Sequence, residues 1–573
     1  MIELLKKYFG HNEFRPVQLD IIDNVLKKRD SLVIMPTGGG KSICYQLPTL
    51  KLEGLTIVIS PLISLMKDQV DSLRANGINA EYINSSLSFE EILLIQNKIQ
   101  KKEIKLLYIA PERLALEEFR VFLSTLQVDL IAIDEAHCIS EWGHDFRPEY
   151  RNLKSLRILF PDAPIIALTA TATEKVRIDI LKQLSLREPK IFISSFNRKN
   201  LNLMVVEKNK TIERIITMLK EYKDESVIIY CFSRKDSENI AERLRGRGFG
   251  ALPYHAGLDN ETRKKNQDLF IKDKANIIVA TIAFGMGINK PDVRLIIHHT
   301  FPKTLESYYQ EIGRAGRDGL SSDCVLFYSR GDKRKHEFFI DKIEDETTKN
   351  NARNKLSQVM NYCEDGSCRR KQILKYFGED FLEDNCGACD SCLKLSKPER
   401  IEQKTLIPKE KGKIEEYDRE LFEKLRILRK QIAVQRNVPP FIIFGDVSLR
   451  EMASFFPSNN EEFLNIKGVG QQKLKDFGDL FLETIKTYLK EKSIDNNELV
   501  GSNEEDGSET DYHKRLKKIK ENYANAYEPW KEEDDLRLKV LNSENKTISE
   551  IAQILMRQPG AIRSRLRKLG LID

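Results

Sequence analysis

Ser31-Leu32-Val33-Ile34-Met35-Pro36-Thr37-Gly38-Gly39-Gly40-Lys41-Ser42 decides the fold. A short apolar run, 31–35, passes into a glycine-rich turn, and a helical pattern follows. Glycine amides at such a strand-to-helix turn can approach phosphate oxygens closely. Thr37, Gly38, Gly39 and Gly40 supply that cradle, Lys41 neutralises the β and γ phosphates of ATP, and the Ser42 hydroxyl can ligate Mg²⁺. Met35 stands where the strict phosphate-loop pattern has glycine, so the spacing is met but one position departs.

Downstream, Ile131-Ala132-Ile133-Asp134-Glu135-Ala136-His137 ends an apolar strand pattern with two acids. Asp134 is placed to hold Mg²⁺, and Glu135 to orient and deprotonate the water that attacks the γ-phosphate. Runs apolar on both faces recur around these motifs, at 55–60, 105–110 and 165–172, with an amphipathic segment at 90–102. A second series follows at 226–232, 251–256, 276–281, 294–300 and 324–329. Such runs mark buried parallel sheets wrapped by helices. The expected fold class is α/β, with two doubly wound parallel-sheet domains. In the second series, Gln310-Glu311-Ile312-Gly313-Arg314-Ala315-Gly316-Arg317-Asp318-Gly319 puts Arg314 and Arg317 on one helix face. From there both can reach phosphate across an interdomain cleft.

Composition bounds the rest. At roughly 150 residues per domain, 573 residues make about four domains. With 41% hydrophobic and 31% charged residues, the chain is neither collagen-like nor wholly disordered. A net charge of +6 is too mild to imply nucleic acid by itself. No apolar run suits a membrane span or a signal peptide, so a cytoplasmic, bacterial-type protein, nucleoid-associated when on DNA, is expected. Of nine cysteines, five fall between Cys363 and Cys392, which suits reduced thiols and one local metal site better than a disulfide framework.

Together these motifs resemble the RecQ family of superfamily 2 helicases. The resemblance implies that the two α/β domains are RecA-like doubly wound parallel-sheet domains, followed by a zinc-binding helical subdomain and small all-α C-terminal modules. The first domain carries Glu13-Phe14-Arg15-Pro16-Val17-Gln18, then Ser60-Pro61-Leu62-Ile63-Ser64-Leu65-Met66-Lys67-Asp68-Gln69, the Asp-Glu-Ala-His box and Thr169-Ala170-Thr171-Ala172. The second carries Tyr230-Cys231-Phe232-Ser233-Arg234, Tyr254-His255-Ala256-Gly257 and the Gln310–Gly319 motif. The resemblance implies that Arg15 and Gln18 read the adenine, and His11 stands where the family often has an aromatic ring. It also implies 3′ to 5′ translocation on single-stranded DNA, action on tailed or branched duplexes, and work in recombination and repair. Residues 138–148 resemble the family's aromatic-rich loop, in which Trp142 and Phe146 stack on bases and Arg147 relays the strand's presence to the nucleotide site.

Cys368, Cys386, Cys389 and Cys392 have spacing suited to tetrahedral Zn²⁺, and four thiolates leave no open position for chemistry. Cys363 is a fifth candidate, which the resemblance places outside the set. Expected domains are 1–200, 201–335, a zinc-binding subdomain 336–395, a linker 396–413, a helical module 414–492 resembling the HRDC domain, an acidic linker 493–524, and a small Myb-like or helix-turn-helix-like module 525–573. The stretch from about 331 to 350 reads as charged and irregular, and 493–513 as disordered. Many family members have a winged helix after the zinc site, and there is no room for one here. Gly468-Val469-Gly470 is either a phosphate contact or a plain interhelix turn. The C-terminal modules are candidate surfaces for single-strand-binding or repair proteins. Two alternatives stay open: a DNA-stimulated translocase or annealing factor with weak unwinding, and an RNA helicase.

Overall fold

The computed structural model describes residues 1–141, 146–285, 290–393 and 417–499, and residues 532–571 except 545, 547, 558–561, 563, 564, 567, 568 and 570. By contacts the chain divides into Met1–Tyr488 and Leu489–Asp573.

Within Met1–Tyr488, two all-parallel sheets form successive lobes. The first contains Ser31–Ile34 (β1), Leu55–Ile59 (β2), Ala80–Ile83 (β3), Leu106–Ile109 (β4), Val128–Ile133 (β5), Ile165–Thr169 (β6) and Lys190–Ile193 (β7). Their order is β3-β4-β2-β5-β6-β1-β7. The second contains Leu201–Glu207 (β8), Ser226–Tyr230 (β9), Ala251–Tyr254 (β10), Ile277–Ala280 (β11), Val293–His298 (β12) and Ser322–Tyr328 (β13), ordered β10-β11-β9-β12-β13-β8. The central strands are buried throughout because helices cover both faces, which is why their sequences are continuously apolar.

Three strands were not signalled by the sequence: β3, β7 and β8. All three lie at sheet edges, where one side has no partner and the pattern mixes charge with apolar residues. β10 tolerates Pro253 for the same reason. The amphipathic segment at 90–102 forms the helix Phe89–Gln100, started by a Ser88–Glu91 capping box. The stretch 331–350 is not irregular. It contains the helix Lys333–Ile340 and the start of Glu346–Glu364, because Lys, Arg and Glu are good helix formers despite their charge.

After the second lobe, helices Glu346–Glu364 and Arg369–Tyr376 lead to the cysteine cluster. Residues 417–488 form a helical bundle around Phe444, Phe463, Phe477 and Phe481, with Phe444 and Phe481 rings 4.9 Å apart. Arg429 is buried in this bundle and paired with Asp446 at 2.8 Å. The bundle's last helix continues to Leu499, past the expected end at 492. The linker 396–413 and the rest of the acidic segment lie outside the described residues.

In Leu489–Asp573, helices Glu532–Ser543 and Ile548–Ile554 enclose Leu538, Ile551, Leu555, Ile562 and Leu566. Arg557 pairs with Asp534 at 2.8 Å and Arg565 with Asp535 at 2.6 Å. Among the described residues no helix is long and apolar enough to cross a membrane.

Candidate functional site

The order β5-β6-β1 brings the carboxyl ends of three neighbouring strands together, the position where parallel sheets bind ligands. The 35–42 turn leaves β1, its first amide donating to Thr169 O of β6 at 3.1 Å. Gly38 and Gly40 have φ of +77° and +87°, and a Cβ on Gly39 would lie 2.8 Å from Pro36 O. The turn therefore requires glycine at all three positions. Arg15 and Gln18 brace it from outside. Gln18 donates to Gly40 O at 3.0 Å, its own Oε1 accepts from the Arg15 amide at 2.8 Å, and the Arg15 guanidinium donates to Gly38 O.

Lys41 donates to Met35 O at 3.2 Å and lies in the field of Asp134, Glu135 and Arg317. Burial draws its ammonium below the ordinary value, and the two carboxylates oppose that shift. Asp134 is pushed up to about 7, first by burial and then by neighbouring Glu135. Glu135 adopts a left-handed backbone, φ +48°, which turns consecutive acids in different directions, and its amide donates to Asp134 Oδ1 at 3.0 Å. Glu135 Oε2 lies 3.4 Å from His137 Nδ1 but has no hydrogen-bond partner among the described residues. His137 Nδ1 bonds Thr169 Oγ1 at 2.8 Å, and nearby Thr171 accepts from Gln310 of the second lobe at 3.2 Å.

Opposite these groups at the cleft, Arg314 is buried and Arg317 half-buried. Arg317 is pulled down to about 9 by burial and by the charges of Arg314 and Arg198, with Glu135 opposing. Neither Nε nor Nη1 of Arg314 has a hydrogen-bond partner among the described residues. Buried guanidinium atoms in that state suit an anion. A Cβ on Gly38 would lie 3.2 Å from Arg317 Cα, so the two motifs meet face to face. The phosphate turn, both carboxylates and both arginines thus fit a nucleotide triphosphate.

Arg198, which sequence reading missed, ties the halves together. It sits between β7 and β8, donating to Thr37 O in the first lobe and to Ala315 O (2.9 Å) and Gly316 O (2.8 Å) in the second. Arg370 in turn donates to Arg198 O (2.6 Å) and Leu201 O (2.7 Å), and Glu379 accepts from the Phe196 amide at 2.7 Å. No spacing rule marks an arginine in a connector, so only the fold reveals it.

The thiols of Cys368, Cys386, Cys389 and Cys392 lie within 4.8 Å of one another, and Cys363 is not among them. Hydrogen bonds from neighbouring thiols and amides hold Cys389 down at about 5, which favours the thiolate that a metal needs. Arg369, next to Cys368, grips Asp390 with two bonds of 3.0 and 2.9 Å, fixing the two ends of the cluster against each other. The donor set and spacing fit tetrahedral zinc.

Family models match in the same order along the chain: DEAD/DEAH box helicase over 15–178, helicase conserved C-terminal domain over 207–319, RecQ zinc-binding over 330–393 and HRDC domain over 418–485. The "ATP-dependent DNA helicase RecQ" of Pasteurella multocida is 40% identical, across 85% of this chain and 94% of that protein. The chain belongs to the RecQ family of ATP-dependent DNA helicases. The Bacillus subtilis RecQ is likewise 40% identical, across 85% of this chain and 98% of its own.

The cysteine quartet is the zinc-binding cluster of this RecQ chain. The Pasteurella alignment spans 595 positions yet uses only 85% of the 573 residues here, so it opens gaps in this chain. The zinc-binding match ends at 393 and the HRDC match starts at 418, which leaves no room between them for a winged helix.

The HRDC turn at 468–470 packs on the N-terminal segment. Gly468 donates to Gly10 O at 2.9 Å, and a Cβ on Gly470 would lie 2.8 Å from Lys7 O. His11 beside it is lowered to about 4 by burial and by Lys467, Arg15 and Lys473, leaving a neutral ring at pH 7. The bundle also reaches the second lobe: Arg426 donates to Asp224 O at 2.8 Å and Lys430 to Asp273 O at 2.9 Å. Of the aromatic-rich loop, Phe146 lies under Arg151 at 5.0 Å, and Arg147 donates to Pro61 O at 2.9 Å. Trp142 lies outside the described residues.

Proposed function

We propose that this chain is a Mg²⁺-dependent, 3′ to 5′ translocating DNA helicase that opens tailed or branched duplexes in recombination and repair, working in the cytoplasm on the nucleoid. The observation that carries the reading is the meeting of the phosphate turn with Arg314 and Arg317 across the cleft, with Arg198 bonded to both sides.

In this reading Thr37 to Gly40 bind the phosphates through backbone amides, and Lys41 neutralises the β and γ groups. Ser42 and Asp134 would hold Mg²⁺, which supplies charge neutralisation at the phosphates. Glu135 takes the proton from the attacking water. Arg314 and Arg317 stabilise charge on the transferring phosphoryl group. Arg15 and Gln18 leave the phosphate turn to read the adenine. Trp142, Phe146 and Arg147 couple strand binding to this centre, with Arg147 acting through Pro61. Single-strand-binding or repair proteins dock on the C-terminal modules.

The test is strand displacement on duplexes with a 3′ or a 5′ single-stranded tail, with ATP hydrolysis followed in the same tubes. Release only of the 3′-tailed duplex, abolished in Lys41→Ala, is the expected result. DNA-stimulated hydrolysis without release would instead support a translocase or annealing factor, the reading motivated by the lack of room for a winged helix between residues 393 and 418. Stronger stimulation by RNA than by DNA would overturn the assignment of DNA as substrate.

A further inference from the structure

Two cations on the bundle helix Arg419–Gln435 reach the second lobe at different places. Arg426 donates to Asp224 O at 2.8 Å, just before β9, and Lys430 donates to Asp273 O at 2.9 Å, in the turn after the helix Asn260–Ile271. Lys272 of that turn donates back to Asn437 Oδ1 of the bundle at 2.9 Å. Asp273 has a left-handed backbone, φ +55°, a conformation that costs a residue with a side chain unless its surroundings hold it. Here it gives one residue two partners on opposite sides. The carbonyl accepts from Lys430 of the bundle, and the carboxylate pairs with Lys290 inside the lobe.

Lys290 has a fully buried side chain, and its ammonium is held by Asp273 and by Asp292 at 3.1 Å. A buried charge of this kind is tolerated only while its partners stay in place. The residues that follow carry the arginine motif. Pro291 O accepts from the Asp318 amide at 3.3 Å, and Val293 O accepts from the Gly316 amide at 3.0 Å. Arg294 grips the Asp318 carboxylate with both terminal nitrogens, one bond being 3.0 Å. Gly316 and Asp318 flank Arg317. An unbroken line of bonds therefore runs from Lys430, through Asp273 and Lys290, to the backbone on either side of Arg317.

We propose that Lys430 is a positioning residue for ATP hydrolysis. By fixing the turn at Asp273 it sets Lys290 and the 290–294 segment, and through that segment it sets where Arg317 stands at the cleft. The effect falls on turnover, because a group that stabilises charge on the transferring phosphoryl acts in the transition state and not on bound ATP. The proposal rests on the reading of Arg314 and Arg317 given above.

The test uses the full chain. Lys430→Ala should lower the kcat of DNA-stimulated ATP hydrolysis by about tenfold while KM for ATP stays within about twofold, a smaller loss than direct displacement of a reacting group brings. Hydrogen exchange at the Gly316 and Asp318 amides should quicken in the same variant, while the bundle core around Phe444 stays slow. Lys430 is exposed, so the change leaves the core intact. Lys430→Arg, which still brings a donor cation to the carbonyl, should keep most of the turnover. Arg426→Ala removes a contact of the same kind from the same helix at Asp224, outside the line to Arg317, and should keep wild-type kcat. Wild-type kcat in Lys430→Ala, or an equal loss in Arg426→Ala, overturns the proposal. Arg317→Ala separates it from the reading beneath it: wild-type hydrolysis in Arg317→Ala would remove the arginine assignment itself, whereas an inactive Arg317→Ala beside a fully active Lys430→Ala would remove only the role of Lys430.

Discussion

Arg198 donates to Gly316 O at 2.8 Å while another of its guanidinium nitrogens donates to Thr37 O, so one side chain spans the nucleotide cleft. Five acceptors surround that guanidinium when the 3.3 Å bond to Asn200 and the 3.5 Å bond to Gly313 O are included. The phosphate turn and the arginine motif are thereby held in one register.

Arg198→Ala should lower the kcat of DNA-stimulated ATP hydrolysis by about 100-fold, with little change in KM, since displacement of reacting groups by about 1 Å has that cost. Arg198→Lys should recover little, because a compact ammonium cannot span carbonyls on both lobes. Steady-state kinetics at saturating DNA checks this, and wild-type kcat in Arg198→Ala would make the connector a passive tether.

Zinc should matter beyond local stability. The cluster positions Arg370 and Glu379, which grip the connector that carries Arg198. Cys389→Ser should weaken zinc binding by more than about 100-fold, beyond the loss of an outer-shell partner. It should also reduce kcat along with the thermal midpoint. Zinc content, melting and ATPase rate measured on the same preparation decide this, and full kcat in a zinc-free folded variant would cut the proposed link.

Asp68 gives a pH signature. Burial and nearby Asp71 push it up to about 7, and its Oδ2 has no hydrogen-bond partner among the described residues. A carboxyl raised above its unfolded value of 3.8 keeps its proton in the folded state. Stability should therefore fall as pH rises from about 4 to about 7 and then level off. Asp68→Asn should stabilise the protein by on the order of 2 kcal/mol at pH 8 and by almost nothing at pH 4. Denaturant melts at the two pH values test this, and an equal effect at both would exclude a shifted Asp68.

Gly470 tests the HRDC contact. A side chain there meets Lys7 O and Tyr8 O, at 2.8 and 3.0 Å for Cβ alone, so Gly470→Val should lift the turn from the N-terminal segment. Hydrogen exchange at Lys7 to Gly10 and at Gly468 to Gly470 should quicken by about tenfold or more, about 1.4 kcal/mol of lost protection, while the bundle core around Phe444 stays slow. Unchanged exchange at both segments would show that the contact contributes no protection.

The sequence by itself determined the class of motor. The strands are legible because buried strands keep continuous apolar runs. Lys41, Asp134, Glu135, Arg314 and Arg317 stand out in the sequence because phosphate chemistry needs particular residues at fixed short spacing, and the fold brings them to one cleft. The cysteine quartet is legible for the same reason, since tetrahedral coordination fixes both ligand type and spacing. Edge strands β3, β7 and β8 were hidden because their identity depends on a partner on one side only. The tertiary structure alone decided that Arg198 spans the cleft, that Arg370 ties the zinc region to that connector, and that Gly468 to Gly470 rests on Lys7 to Gly10. Each joins segments distant in sequence through backbone carbonyls. Every residue carries such an acceptor, so the pairing leaves no pattern in the side chains.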